Sequence, residues 1–433
     1  MKNHLHFGRV SALSLVLFLL ATLGACQRSC NSSRQPTALQ TVRFGMLPYA
    51  DHTYAIIGAK QGWFKEVGID IQYQTIKVEE IVPYLKNGTM DVVSSPPGIL
   101  ISAHDNAPNL CSFVFGDLFQ GYAILAQPDG GYKSYDEFVQ GGMSPTDAAR
   151  ATAQQLRGKT FAYPTETAIK PFIDLVLEKG GLKRSDFKSL VLDDPLTVNA
   201  MRGKQAAFQV GGVPSRIALQ REGFKPILTS IDLVKGATPS ADSRELSSIL
   251  QNGWATTKEY YQKEHETILR LASVNYRIMK LINTNPQQAL AIHMPYLSEV
   301  SGQSFTEKDG MVIYSSLDPF VSFEEQRAWF HDLQNPLYYK YVNGAILKSF
   351  TDQGVFKNPA PAVDDVIFAD DIYFELEKLK QSTDQLFQQI ENRHVTANNQ
   401  QLKETLQRAK HFYEIYDYLD SERLAKEILA ATP

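Results

Sequence analysis

This chain of 433 residues is short of cysteine, short of uninterrupted apolar sequence, and carries no excess of positive charge. Three cysteines, Cys26, Cys30 and Cys111, are too few for a disulfide framework. Cys111 lies in an apolar strand-like run, residues 110–115, and is expected to be a buried thiol. The longest apolar run, residues 10–25, has about 16 residues where a spanning helix needs roughly 20, so a polytopic membrane protein is excluded. The net charge of −4 excludes an electrostatic grip on nucleic acid. Catalytic motifs are also lacking: there is no P-loop, no Cys-x-x-Cys, no His-Glu-x-x-His and no nucleophile elbow. Ser185-Asp186-Phe187-Lys188 matches Ser-x-x-Lys without its companion motifs and reads as a capped turn. His52 and His104 have no second ligand pair at metal spacing. No cofactor, no metal and no enzymatic activity are expected.

The start of the chain has the make-up of a secretory leader. Lys2 and Arg9 flank the apolar run, which ends in Leu23-Gly24-Ala25-Cys26 before a polar stretch to residue 40. The junction resembles a bacterial lipobox, which implies a signal peptide over 1–25, acylation of Cys26 and a lipidated linker over 26–41. Acyl chains bury about 0.8 kcal/mol per CH₂ in a membrane. With Cys26 acylated, Cys30 and Cys111 are the pair left to form a disulfide in an oxidising compartment. Removing Lys2 and Arg9 from the 43 basic residues leaves 41 against 47 acidic ones, a net charge near −6.

Beyond the linker the dominant signal is β-branched runs alternating with helix-period segments. Residues 42–46, 69–73 and 91–93 read as strands, and 54–61 and 78–86 as helices, a βαβαβ order that predicts a parallel sheet covered by helices. A helix over 97–103 and a strand over 110–115 follow. Gly116-Asp117 reads as a break, 122–126 as a strand, and 128–143 as a loop-rich insertion. The design then repeats, with strands at 159–163, 189–192, 206–210 and 225–229 and helices at 170–179, 195–202 and 215–222. From residue 254 the chain turns helical. Thr257 is the expected N-cap of a helix over 260–282, whose Ile268, Leu271, Ala272, Tyr276, Met279 and Ile282 form an apolar stripe; Pro286 and Thr306 precede two more. Two amphipathic helices, 372–390 and 402–429, end the chain, with Leu379, Leu386, Leu402, Leu406, Ala409 and Tyr413 as the expected seam. They read either as a hairpin packed on the parent domain or as a surface for a partner.

The run Gly62-Trp63-Phe64-Lys65-Glu66-Val67-Gly68-Ile69-Asp70-Ile71, followed by Asn87-Gly88-Thr89-Met90-Asp91-Val92, resembles the periplasmic solute-binding proteins of nitrate, sulfonate, taurine and thiamine-pyrimidine ABC importers. Leu156-Arg157-Gly158-Lys159-Thr160-Phe161-Ala162 and Trp254-Ala255-Thr256-Thr257-Lys258-Glu259-Tyr260 add to it. The resemblance spans residues 42–374. It implies an α/β, two-lobe periplasmic-binding-protein fold of type II that closes like a hinge on a small solute. Lobe 1 would comprise 42–120 and 230–375, lobe 2 would comprise 121–229, and 376–433 would be a helical extension. The crossovers would fall at 116–122 and near 229. It also implies an ABC transporter permease as partner, a monomer, and a periplasmic or cell-surface location with the lipid anchor in the membrane. Pro48-Tyr49-Ala50-Asp51-His52-Thr53 matches the Pro-x-x-x-His-Thr element of the thiamine-pyrimidine branch, although Met46 stands where that branch has Trp. Gly212-Val213-Pro214 departs from the Trp-Glu-Pro of the sulfonate and nitrate branches. Pyrimidine synthases, enzymes of this fold, carry a cysteine-rich iron-binding run that nothing around Cys111 reproduces.

In open α/β sheets the ligand lies beyond the carboxyl ends of the strands. The loops expected there supply Tyr49, Asp51, His52, Ser95, Asp117, Thr165, Glu166, Thr167 and Gly212. Ser95 and Thr167 stand where helices begin, so hydroxyls and free N–H groups can hold an acceptor, or simply cap. Asp51, Asp117 and Glu166 stand beside Tyr49, Tyr54, Phe115, Phe119, Tyr122 and Tyr163, with Lys170 and Arg216 the candidate cations. Carboxylates with aromatic faces suit a nitrogenous ring or an amine better than a strong anion, though each carboxylate can equally be a solvated group. The expected ligand is a small nitrogenous solute, pyrimidine- or amine-like; the alternatives are a sulfonate- or nitrate-type anion, and a pyrimidine-synthase-like enzyme.

Overall fold

The computed structural model describes residues 39–235, 240, 243–394 and 399–431, so the expected leader, Cys26 and Cys30 lie outside the described residues. The first sheet contains β1 (Gln40–Met46), β2 (Ile69–Thr75), β3 (Val92–Ser95), β4 (Leu110–Phe119) and, from far along the chain, β10 (Leu250–Thr257), in the order β2-β1-β3-β10-β4. β1 runs parallel to β2 and β3, as the βαβαβ pattern predicts. β10 inserts antiparallel between β3 and β4. All ten residues of β4 are buried, since helices cover both faces of a sheet of this kind. Burial of Phe113, Val114 and Phe115 contributes roughly 1.5–3 kcal/mol each.

Gly116-Asp117 does not break β4, which continues to Phe119. Asp117 pairs with Asn252 of β10, and Gly116 O accepts from Val321 N at 2.9 Å, so this Gly-Asp pair is held in a ladder instead of turning. The register slips between Asn252 and Gly253. A Cβ on Gly253 would stand 1.8 Å from Val114 O, so only glycine lets β10 close on β4 at this bulge.

The chain leaves the first sheet after Phe119 and enters a second built from β5 (Ala123–Ala126), β6 (Thr160–Pro164), β7 (Lys188–Leu192), β8 (Phe208–Gln209) and β9 (Lys225–Thr229). The order is β7-β6-β8-β5-β9, with β6 parallel to β7 and β8 and β5 antiparallel to β8 and β9. It returns to the first sheet at Leu250. The expected loop at 128–143 contains a helix, Tyr135–Gln140, whose start is fixed by a reciprocal cap: Ser134 Oγ accepts from Glu137 N at 3.3 Å and Glu137 Oε2 accepts from Ser134 N at 2.6 Å.

The helical remainder packs on the first sheet. Thr257 caps a short helix, Lys258–Lys263, and a break at Glu264 separates it from the long helix His265–Thr284, whose expected apolar stripe is buried. At the end of the chain, three helices replace the two expected: Ala369–Asn392, Gln400–Glu414 and Tyr418–Ala430. The interruption is at Tyr416, at φ 68. Its ring lies 6.3 Å from Tyr276 and 5.9 Å from Phe323, and burial of that ring offsets the roughly 1–2 kcal/mol cost of the left-handed conformation. Leu386, Leu402 and Leu406 of the expected seam pack around Ile390, Ala425 and Ile428. Arg270 then clamps the helical end to the body by donating to both oxygens of Asp420, at 3.0 and 2.9 Å. Glu66 joins in by accepting from Arg277 at 2.5 Å and pairing with His411.

Candidate functional site

β1, β3 and β4 end, and β10 begins, on one edge of the first sheet, and the site is built on that edge. The expected loop over 48–52 instead runs into a single helical turn, Ala50–Thr53. Extended Tyr49 precedes it, and Thr53 Oγ1 donates to Tyr49 O at 2.9 Å. The turn carries Asp51 and His52 inward, where both are buried. Asn252, placed by the bulge, donates from Nδ2 to Asp51 Oδ2 at 2.6 Å and to Asp117 Oδ2 at 3.4 Å. His52 Nε2 lies 3.4 Å from Asp51 Oδ2. Asp318 closes the group. It follows a helical turn at Ile313–Leu317 whose continuation is bonded along β4, Leu118 N donating to Pro319 O at 3.0 Å. Asp117, Asn252 and Asp318 are each 0% exposed.

These polar groups are unusually short of partners. Asp51 Oδ1, Asp117 Oδ1, both oxygens of Asp318, Asn252 Oδ1 and His52 Nδ1 are buried without a hydrogen bond to any described residue. Buried polar atoms are otherwise almost always paired, because an unpaired one keeps its full desolvation cost. The electrostatics follow. Burial, opposed by hydrogen bonds from its own backbone and from Asn252, pushes Asp51 up to about 7. Burial, then the charges of Asp51 and Asp318, holds Asp117 well above the usual carboxylate range. Burial and then Asp51 do the same to Asp318, with Arg216 opposing. Burial lowers His52 to about 3, so its ring is neutral at physiological pH.

The facing wall comes from the second sheet. Asp194 is raised by burial to about 6, although Ser215 Oγ donates to its Oδ2 at 2.5 Å and Gly212 N to its Oδ1 at 3.2 Å. Half-buried Glu166 is raised to about 8 by burial and by the charges of Asp194 and Asp51. Burial, followed by the field of Glu166, raises Tyr49 and Tyr122 well above the usual phenol value. The two walls touch where the Tyr49 ring lies against Gly212: a Cβ there would come 3.0 Å from the ring. The Arg216 guanidinium, buried and donating to Gly121 O at 2.7 Å, is lowered by burial to about 10 and stays charged at neutral pH. Among the described residues that shift these five carboxylates, Arg216 is the one cation.

Of the residues singled out from the sequence, Asp51 meets His52 directly and Asp117 through Asn252, Tyr49 meets Gly212, and Glu166 acts on Tyr49 through its field. Ser95 is buried, but its hydroxyl donates to Pro96 O at 3.1 Å instead of capping the helix Pro97–Ser102. Thr165 is exposed, and Thr167 opens a short turn with no side-chain cap. Lys170 is exposed. Tyr163 is engaged elsewhere, its hydroxyl donating to Ser189 Oγ at 2.9 Å. Sequence reasoning missed Asn252, Asp318, Asp194 and Ser215. The Asn252-Gly253 pair ahead of Trp254 was the one available signal, as a glycine inside a strand marks a bulge. Cys111 is a buried free thiol, pushed by burial up to about 12. Among the described residues no group of three or more His, Cys, Asp or Glu side chains could hold a metal ion.

No family model matches the chain, and no curated protein matches it. Solved structures do. The periplasmic aliphatic sulphonate binding protein of Escherichia coli superposes with a TM-score of 0.53 at 14% identity, covering 77% of this chain and 99% of that one. The alkanesulfonate-binding protein of Xanthomonas axonopodis pv. citri, bound to MOPS, gives 0.52 at 13%, covering 75% and 97%. The ligand-binding component of an ABC-type import system of Staphylococcus aureus, with zinc bound, gives 0.55 at 10%, covering 78% and 98%. At these identities the likeness is one of fold, and the chain has the two-lobe periplasmic-binding-protein fold with a helical C-terminal part.

Proposed function

We propose that this chain is an extracytoplasmic substrate-binding protein of an ABC importer that captures a small nitrogenous organic solute between its two walls. The observation that carries the reading is the set of buried, unpartnered acceptors at the seam, Asp51 Oδ1, Asp117 Oδ1, Asn252 Oδ1 and both oxygens of Asp318. A solute rich in N–H groups satisfies them, and Tyr49 and Tyr122 offer aromatic faces beside them. The structural neighbours support transport, since those compared above are import or sulfonate-binding proteins. The same reading includes a permease partner, a monomer in solution, a periplasmic or cell-surface location and a lipid anchor at Cys26. No helix among the described residues is long and apolar enough to cross a membrane.

A sulfonate- or nitrate-type anion is the second reading, favoured by what two of those neighbours bind. The site's chemistry speaks against it, because the guanidinium of Arg216 is already bonded to Gly121 O and five carboxylates face the seam. A pyrimidine-synthase-like reaction finds no support in Cys111, whose thiol is buried. The test is to denature the purified protein, identify small molecules released by mass spectrometry, and run thermal-shift titrations with pyrimidines, amines, sulfonates and nitrate. One nitrogenous compound is expected to raise the melting temperature with concentration, by mass action. A flat response across all four classes would sink the reading.

A further inference from the structure

The acidity of the seam decides more than the element the solute contains. Resting on the reading above, we infer that the solute carries a positively charged nitrogen with several N–H donors, an ammonium or amidinium, seated against Asp51, Asp117 and Asp318 of the first wall, so that neutral pyrimidines are excluded. Three observations converge. The side-chain donor supply among the described residues is one amide: Asn252 Nδ2 serves Asp51 and Asp117, and none of them serves Asp318. The remaining open atoms are four carboxylate oxygens, Asn252 Oδ1 and His52 Nδ1; with the acids ionised the oxygens are all acceptors, which a neutral ring with one or two N–H groups leaves mostly unmet. The charge is also uncompensated, since Arg216 reaches Asp318 through its field while its own bonds go to Gly121 O and Gln220. Buried charges persist only when paired or protonated. A bound divalent ion is disfavoured, because no set of three ligating side chains is arranged for one among the described residues.

Without solute, these carboxylates hold protons, and binding of a cation releases them. The titratable and charged groups around the seat are Asp51, Asp117, Asp318 and His52 on the first wall with Tyr49 and Tyr54, and Glu166, Asp194, Arg216 and Tyr122 opposite or at the hinge. Every raised carboxylate among them works in one direction, so affinity for a cation rises from pH 5.5 to pH 8.

Calorimetric titration of the full chain with 1,4-diaminobutane, 4-guanidinobutylamine and benzamidine, against neutral 4-aminopyrimidine, ethanesulfonate and Mg²⁺, tests this. At least one cationic compound binds, at least tenfold more tightly at pH 8 than at pH 5.5, with proton release seen as a buffer-dependent enthalpy at pH 7; the other three do not bind. Asp318→Asn weakens that binding at least tenfold while raising the melting temperature of the solute-free protein, and Asp117→Asn, as the second variant, does the same. Binding of 4-aminopyrimidine or ethanesulfonate without proton release overturns this inference and leaves solute capture standing. Binding of Mg²⁺ alone overturns it in favour of a metal seat. No binding by any compound removes both the inference and the reading beneath it.

Discussion

Two regions of this molecule handle carboxylates in opposite ways. Where the C-terminal helices meet the body, Asp420 takes both bonds of Arg270, Glu66 takes Arg277 and His411, and those hydrogen bonds hold both acids below the usual range against the desolvation that pushes them up. At the seam, Asp51, Asp117 and Asp318 meet one amide and no cation within bonding distance. The first arrangement stabilises a contact that is always made. The second raises the free energy of the protein alone and returns it only when something else arrives, which is the signature of a site rather than of a structural joint.

The contrast can be broken at its scaffold. Gly253→Ala forces a Cβ against Val114 O, so β10 must shift and with it Asn252; denaturant unfolding is expected to show a loss of more than about 3 kcal/mol. Asp318→Asn sharpens the comparison from the site's side, removing a buried acid that folds only by taking up a proton, and the same measurement on solute-free protein should show a gain of about 2 kcal/mol. Arg270→Met is its mirror, leaving Asp420 beside Asp417 with only the longer contact to Arg423, at 3.4 Å, for an expected loss of roughly 1–2 kcal/mol.

The smallest effect is the most discriminating, because the two regions respond to pH with opposite sign. Asp51, Asp194 and Glu166 have folded values raised to about 7, 6 and 8. Their protonation therefore stabilises the fold fully below about pH 4, and that stability is lost as pH rises through 6 to 8. Asp420 and Glu66 are lowered, so their contribution is present above the ordinary carboxylate range and is lost on acidification. Asp417, raised by burial to about 7, works against this trend in its own helix. Hydrogen exchange should show Ala50–Thr53 opening more readily at pH 8 than at pH 5, and Gln400–Glu414 opening more readily at pH 3 than at pH 5. The same slope in both regions would contradict the comparison.

The sequence made the sheets legible and most of the site illegible, for a physical reason. Strand periodicity is local, so β9 is read from it at its observed limits, Lys225–Thr229, and the parallel pairing of β1 with β2 and β3 follows from the helices between them. Asp51 and His52 were visible because they follow the end of β1, and Asp117 because its glycine neighbour reads as the end of a strand that in fact continues. Asn252 and Asp318 were not, since each is a lone polar residue far along the chain, and only β10 inserting beside β4 brings the first of them to the others. Gly116-Asp117 misled because its composition is that of a turn, and the ladder to β10 overrides it. Tyr416 misled in the opposite sense: nothing in a continuous apolar period announces a left-handed residue held against the rings of Tyr276 and Phe323.

The bare backbone at Gly212 has one more consequence. Because the Tyr49 ring of one wall meets bare backbone of the other there, that point is proposed to work as the jaw of a caliper, setting how near the walls come when shut. A methyl group added to it is a shim: the walls would stop short, the seat would stay wet, and bulk water would compete for every open oxygen. On the proposed reading, charge at the seat would choose the kind of solute and the thickness of the gap at residue 212 its size, two selections that can be varied independently.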